Sequence, residues 1–310
     1  MPVLLLSLSY ALCAAGKLEV EEEPIEVKVT QITERPDVAV KEALEIVKKP
    51  ASDAQLHQAA RVCALLGIDV TLAIAAAKSG PADSLDARLL SLGDVYLGLG
   101  DWANAERALK ATRPSPRVHE RLGHALRAQN RFADASKAFV AAVESGDGRE
   151  LDAIVARIAP VMGEWVLDYE AANLGAMRSA AKPVLTAMLP HQAGEGSETT
   201  KAWLARLEQP HDKSSRSTLT AARFKDALAV QLPALRACFA RALVQEPNLK
   251  GRIELKLAVA DGGKITSVTT ATNTTNVKPL QACFEQRAKA LNLATETPVE
   301  VTQVFVLNPL

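Results

Sequence analysis

At 310 residues, with 36 Lys and Arg balanced by 36 Asp and Glu, the chain carries no net formal charge, and aromatic residues make up only 4% of it. That length suffices for two domains with separate cores, and the composition excludes the dense basic stripe with stacking aromatics that nucleic-acid binding requires. From Leu219 onward eleven basic residues face seven acids, so a mildly basic tail follows an acidic remainder.

Residues 1–16 form an apolar run around Leu4-Leu5-Leu6 that ends in the small residues Ala14-Ala15-Gly16. It is too short to span a bilayer and reads as a secretory signal, after whose cleavage no membrane span is expected. Two alternatives stay open: lipid attachment through Cys13, and a buried amino-terminal helix or strand. Residues 17–50 read as an acidic linker and a first helix. Ile25, Val27 and Val29 alternate briefly, as a short strand would, but the run Glu21-Glu22-Glu23 favours a solvated linker. Helical periodicity starts near Val38, with Val40, Ala43, Leu44 and Val47 on one face, and Pro50 ends it.

Residues 51–190 contain a repeat. Gly93 aligns with Gly123, Ala105 with Ala135 and Leu109 with Phe139, each pair thirty residues apart. A weaker copy precedes them at Leu56, Ala59-Ala60, Cys63, Leu72 and Ala76, making three helical hairpins. These positions resemble the tetratricopeptide pattern, in which large residues of one helix fit against small ones of the next. Such hairpins gain stability by stacking and need capping helices, a role that falls to residues 150–189, although Pro160 and Pro183 interrupt the pattern there. Residues 191–218 read as a linker between domains, with a possible short helix around Trp203 and Leu207.

Residues 219–310 begin with an apolar stripe, Phe224, Leu228, Leu232, Leu235, Phe239 and Leu243, in which Pro233 predicts a kink. Ile253, Leu255, Leu257 and Val259 alternate as a half-buried strand, Asp261-Gly262-Gly263 supplies a turn, and Ile265 and Val268 begin the return strand. Being three apart, those two fall on opposite pleats unless a bulge intervenes. A second helix carries Val277, Leu280, Phe284, Ala288 and Leu291, with Asn276 as its cap, and Val299–Val306 forms the last strand. Cys238 and Cys283 sit where one disulfide joins the two helices; two separate buried thiols is the alternative, and no CxxC or clustered His suggests zinc. Cys63 reads as a small core residue.

Leu232-Pro233, Arg236-Ala237-Cys238-Phe239, Pro247-Asn248-Leu249-Lys250-Gly251-Arg252, Asp261-Gly262-Gly263, and Leu280 with Cys283 together resemble the TonB/TolA-like C-terminal domain, in the AgmX/PglI-type form found in gliding bacteria. Leu291-Asn292-Leu293 departs from the Trp-x-Phe-Pro step common in that family. The fold class implied is mostly α with a C-terminal α+β module: a short tetratricopeptide-like α-solenoid plus a TonB-like helix-hairpin-helix-strand domain. The resemblance implies a periplasmic, exported protein that acts as a part of an envelope machine.

Catalytic signals are weak. His119 and His124 are five apart on a helix and diverge, Gly98-x-Gly100 and Gly262-Gly263-Lys264 lack the rest of a nucleotide fingerprint, and no Ser elbow occurs. Neither enzymatic activity, a cofactor, a metal nor a small-molecule substrate is expected. The first helices of the hairpins instead direct His57, Gln58 and Arg61, then Ser91 and Asp94, then Arg117, Glu120, Arg121, His124 and Arg127 to one groove. Its arginines suit an acidic peptide or free carboxy terminus near Arg121 and Arg127; an ordinary solvated helix face is the alternative. A second expectation places strand addition at the edge formed by Val299, Val301 and Phe305. The resulting reading is a scaffold binding protein or peptide partners in the cell envelope, with a TonB-like energy-coupling or gliding-motility component as the alternative.

Overall fold

A computed structural model of the protein describes residues 18–21, 25–29, 36–172, 175–209, 221–260, 263–291, 293 and 298–309. The signal-like segment with Cys13, and Asp261-Gly262 of the expected turn, lie outside the described residues. Those described are mostly helical, with a small sheet built around the C-terminal part.

Helix α1 (Pro36–Lys48) leads into three helical hairpins: α2 (Asp53–Leu65) with α3 (Val70–Lys78), α4 (Leu85–Gly98) with α5 (Trp102–Lys110), and α6 (Pro116–Ala128) with α7 (Phe132–Ser145). Polar oxygens start several of them by accepting from otherwise unpaired backbone N–H groups. Ser52 Oγ accepts from Gln55 N at 3.2 Å, Asp69 Oδ1 from Thr71 N at 2.8 Å, and Ser115 Oγ from Val118 N at 3.3 Å, the last followed by Pro116 in the first turn.

The three hairpins turn in the same way. Gly67, Gly100 and Asn130 all adopt positive φ, at 73°, 67° and 60°. The residue after each donates its N–H five residues back: Ile68 to Cys63 O, Asp101 to Tyr96 O and Arg131 to Leu126 O, at 2.9, 2.9 and 3.0 Å. This is the glycine-type helix stop, closing orphan carbonyls with a left-handed residue. Inside the second and third hairpins the two glycines of the repeat have one purpose. A Cβ on Gly93 would lie 2.6 Å from Leu109 Cδ2, and one on Gly123 2.5 Å from Phe139 Cε1. Each glycine lets the large residue of the following helix lie against the backbone.

Helix α8 (Gly148–Ala172) and α9 (Gly175–Met188) cover the last hairpin, with Ile154, Ile158, Met162, Trp165, Val184 and Leu185 in its core. Pro160 and Pro183 lie inside these helices and do not break them. Residues 194–208, expected within a linker, form α10 (Gly194–Glu208), which packs on α8 and α9: Leu207 is buried, and the Trp203 ring lies against Gly163. Cys63 is a free thiol in the core of the first hairpins, where burial pushes its pKa up to about 11.

In the C-terminal part, α11 (Ala221–Gln245) and α12 (Lys278–Lys289) pack on β3 (Gly251–Val259), β4 (Ile265–Asn273) and β5 (Val299–Pro309). Pro233 lies within α11. Residues 227–245 of α11 are long and apolar enough to cross a membrane, yet more than half of that stretch is buried in the protein. Ile253, Leu255, Leu257 and Val259 point inward as their alternation predicts, and Phe284 meets Phe305 edge-on at 5.3 Å. The β3–β4 register shifts between Ala258 and Val259, opposite Thr266, so Ile265 and Val268 both face the core. Asn276 does not cap α12; Val277 holds that position and Asn276 itself has φ 58°. Cys238 and Cys283 form a disulfide between α11 and α12, with Cα atoms 6.0 Å apart.

Two findings change the expected organisation. First, the acidic segment expected to be a linker supplies β1 (Leu18–Glu21) and β2 (Ile25–Val29), both parallel to β5: Leu18 opposite Val299, Val20 opposite Val301, Ile25 opposite Phe305. With β3 antiparallel on the other side, β5 is interior, and the sheet order is β1-β5-β3-β4 with β2 beside β5. Secondly, the two modules touch. Leu65 and Leu99 pack with Ala237 and Ala240, a Cβ on Gly100 would stand 2.6 Å from Ala234 Cβ, Arg287 Nη1 donates to Gly100 O at 2.9 Å, and Asn130 Nδ2 donates to Ala290 O at 3.4 Å. Much of the C-terminal module's seat is therefore made of residues at or beside the hairpin turns.

Candidate functional site

The hairpin stack brings Asp94 of α4 together with Arg117, Glu120, Arg121, His124 and Arg127 of α6, and adds Arg157 and Glu164 of α8, which lie outside the expected set. His57 and Arg61 lie exposed on α2, apart from this network.

Glu120 is its centre. Its side chain is fully buried, and Arg157 grips it with both prongs, Nε to Oε1 at 2.6 Å and Nη2 to Oε2 at 2.7 Å. Arg121 Nη1 and His124 Nε2 each stand 3.7 Å from Oε1. Burial alone would raise this carboxyl's pKa. The polar contact of His124, the hydrogen bonds of Arg157 and the charges of Arg121 and Arg157 outweigh it and hold the group at about 2. The His124 ring also packs edge-on against Phe139, at 5.2 Å.

Outside this centre each arginine that α6 contributes to the expected groove, Arg117, Arg121 and Arg127, has an acidic partner. Arg117 Nη2 donates to Asp94 Oδ2 at 3.1 Å, Arg121 Nε lies 2.9 Å from Asp94 Oδ1 without hydrogen-bond alignment, and Arg127 pairs with Glu164. These arginines are already engaged with acids, Arg117 and Arg121 sharing Asp94, which corrects the expectation of free arginine forks waiting for a carboxylate. A lone carboxylate at Arg121 or Arg127 must displace an ion pair already present. Arg157 was missed because its partner lies 37 residues earlier on another helix; the bidentate pairing has no sequence signal, though an acid at the inward position of α6 could have prompted a search for one.

The expected strand-addition site is also occupied. Val299, Val301 and Phe305 sit between β3 and the chain's own β1 and β2. Among the described residues the sheet ends in β4 on one side and in β1 and β2 on the other, and the β4 stretch Ile265–Asn273 contains no charged residue. On the outer face of α7 and α9 lies a shallow, open depression of about 810 Å³ bordered by Val140, Arg178 and Lys182; both cations contact Glu208. Among the described residues no group of three or more His, Cys, Asp or Glu could hold a metal ion. No family model, curated protein or solved structure matches the chain.

Proposed function

We propose that the protein is an exported scaffold of the cell envelope: a tetratricopeptide-like solenoid that binds partner proteins, carrying a TonB/TolA-like C-terminal module closed by the Cys238–Cys283 disulfide. The observation that carries this reading is the recurrence of one hairpin turn at Gly67, Gly100 and Asn130, because hairpins that repeat one turn present their first helices side by side as an extended surface. On that surface the polar stripe of α4, α6 and α8 suits a partner segment that brings both charge signs and exchanges ion pairs with Asp94, Arg117, Arg121 and Arg127. The disulfide supports an oxidising compartment.

Fractionation of cells producing the full chain, with thiol exchange blocked on lysis, tests it. The reading requires the protein in the periplasm with Cys238 and Cys283 oxidised, and requires crosslinked partners that are lost in R117A/R121A. Retention in the cytoplasm with both thiols reduced refutes it. The alternative, a TonB-like coupling component that works by strand addition, is favoured by one observation: the edge strand β4, Ile265–Asn273, carries no charged residue to block pairing, whereas β5 is paired on both sides.

A further inference from the structure

We infer that Arg241 and Arg287, at the junction of the hairpin stack and the C-terminal module, form a binding site for an oxyanion, a carboxylate or phosphate group. This goes beyond the scaffold reading and does not depend on it. The arginines of the polar stripe each have an acid within 3.1 Å. The junction differs. Among the described residues Arg241 Nη2 approaches an acid no closer than Asp101 Oδ2 at 4.0 Å, and Arg287 hydrogen-bonds from Nη1 to the backbone oxygen of Gly100. Two guanidinium charges therefore share one distant carboxylate.

The donors around them are unsatisfied as well. Nε of Arg241, Nε of Arg287 and the Tyr96 hydroxyl are all buried without a hydrogen-bond partner among the described residues, and Tyr96 is 1% exposed. Tyr96 lies within electrostatic reach of both Asp101 and Arg241. Buried donors that lack an acceptor are uncommon in folded proteins. A water molecule can supply an acceptor but no countercharge, whereas an oxyanion supplies both, and the guanidinium fork matches its geometry. Burial lowers the pKa of Arg287, Asp101 opposes that, and Arg241 adds to the lowering, as two like charges held together should. The Arg241 side chain is 32% exposed, so the site opens to solvent on one side.

The test uses the oxidised full chain. Thermal unfolding is followed in sodium phosphate against sodium chloride at equal ionic strength, and with a short peptide ending in a free carboxylate against its carboxy-terminal amide. At about a hundredfold excess over Kd, phosphate is expected to raise the melting temperature by about 5 °C, an effect lost in R241Q/R287Q and retained in R117Q. A shift with phosphate identifies a free oxyanion as ligand; a shift with the peptide acid but not with its amide identifies a partner's carboxylate. No shift beyond chloride with either probe, or an equal shift in R241Q/R287Q, overturns the inference. If the double variant does not fold, Arg287→Lys decides: it keeps the charge and loses the fork, so the Kd of the bound probe should rise at least about fivefold, and an unchanged Kd overturns the assignment.

Discussion

Replacing Glu120 by Gln isolates the electrostatic centre of the hairpin stack. The native carboxyl is fully buried and is held at about 2 against an ordinary 4.5, which corresponds to about 3 kcal/mol of folding stability. The sign follows from the depressed value. This stabilisation is fully present above pH 4.5 and is lost as pH falls from there through the folded value near 2. Gln keeps the shape but cannot balance Arg157, whose side chain is 41% exposed and can turn to water. The loss at pH 7 should thus sit at the lower end of the range for breaking a buried pair, about 3 kcal/mol. Urea unfolding of both proteins at pH 7 and in steps down to pH 2.5 measures it. The other acids with lowered pKa values cancel in the difference between the two proteins, which should shrink steadily below pH 4.5. Equal midpoints at pH 7, or a difference that stays constant across the acid range, would refute the reasoning.

Gly123→Ala drives a methyl group against ring atoms of Phe139 at 2.5 to 2.9 Å; it should cost about 1–3 kcal/mol even after the helix-propensity gain of about 1 kcal/mol. Gly98→Ala meets nothing within 4 Å and should be neutral or stabilising by up to about 1 kcal/mol, so paired urea titrations with matching midpoints would contradict the glycine argument. Removing the disulfide as C238A/C283A opens a loop of 45 residues and should destabilise the C-terminal module by about 4 kcal/mol on the loop-entropy estimate; denaturation monitored by amide exchange in β3 reads this, and unaltered protection would tell against it. Deleting residues 18–29 uncovers the outer backbone of β5, so the truncated protein should associate with rising concentration in sedimentation runs where the full chain does not. A truncated protein that sediments like the parent would mean that β1 and β2 do not shield that edge.

What the sequence made legible was what local period encodes. Alternation gave the inward face of β3, and the three-residue spacing of Ile265 and Val268 pointed to a bulge that the β3–β4 register contains. The thirty-residue recurrence marked the two glycines that seat Leu109 and Phe139. The misreadings have a common cause, which is that the deciding partner is far away in the chain. Ile25, Val27 and Val29 alternate in the same way whether solvated or paired, and their partner strand starts at Val299. Pro160 and Pro183 carry a local penalty of about 3 kcal/mol in a helix interior, yet the burial of Ile158, Val161, Met162, Val184 and Leu185 around them outweighs it. Arginines can be counted from sequence. Whether each is neutralised depends on Asp94, Arg157 and Glu164, which come from other helices.

That distinction also links the disulfide to the junction. Cys238 precedes Arg241 by three residues on α11, and Cys283 precedes Arg287 by four on α12, so each half of the bridge lies one helical turn from a junction arginine and on the same side of its helix. Holding the two helices together at that level fixes the spacing of two guanidiniums whose mutual repulsion would otherwise part them. The cost of keeping like charges close is thus carried by a covalent bond and by the sheet beneath, while the hairpin side contributes Asp101, the Gly100 carbonyl and the Tyr96 hydroxyl. The charge surplus sits where the modules meet, and an anion held there would bind both modules at once and tighten their union.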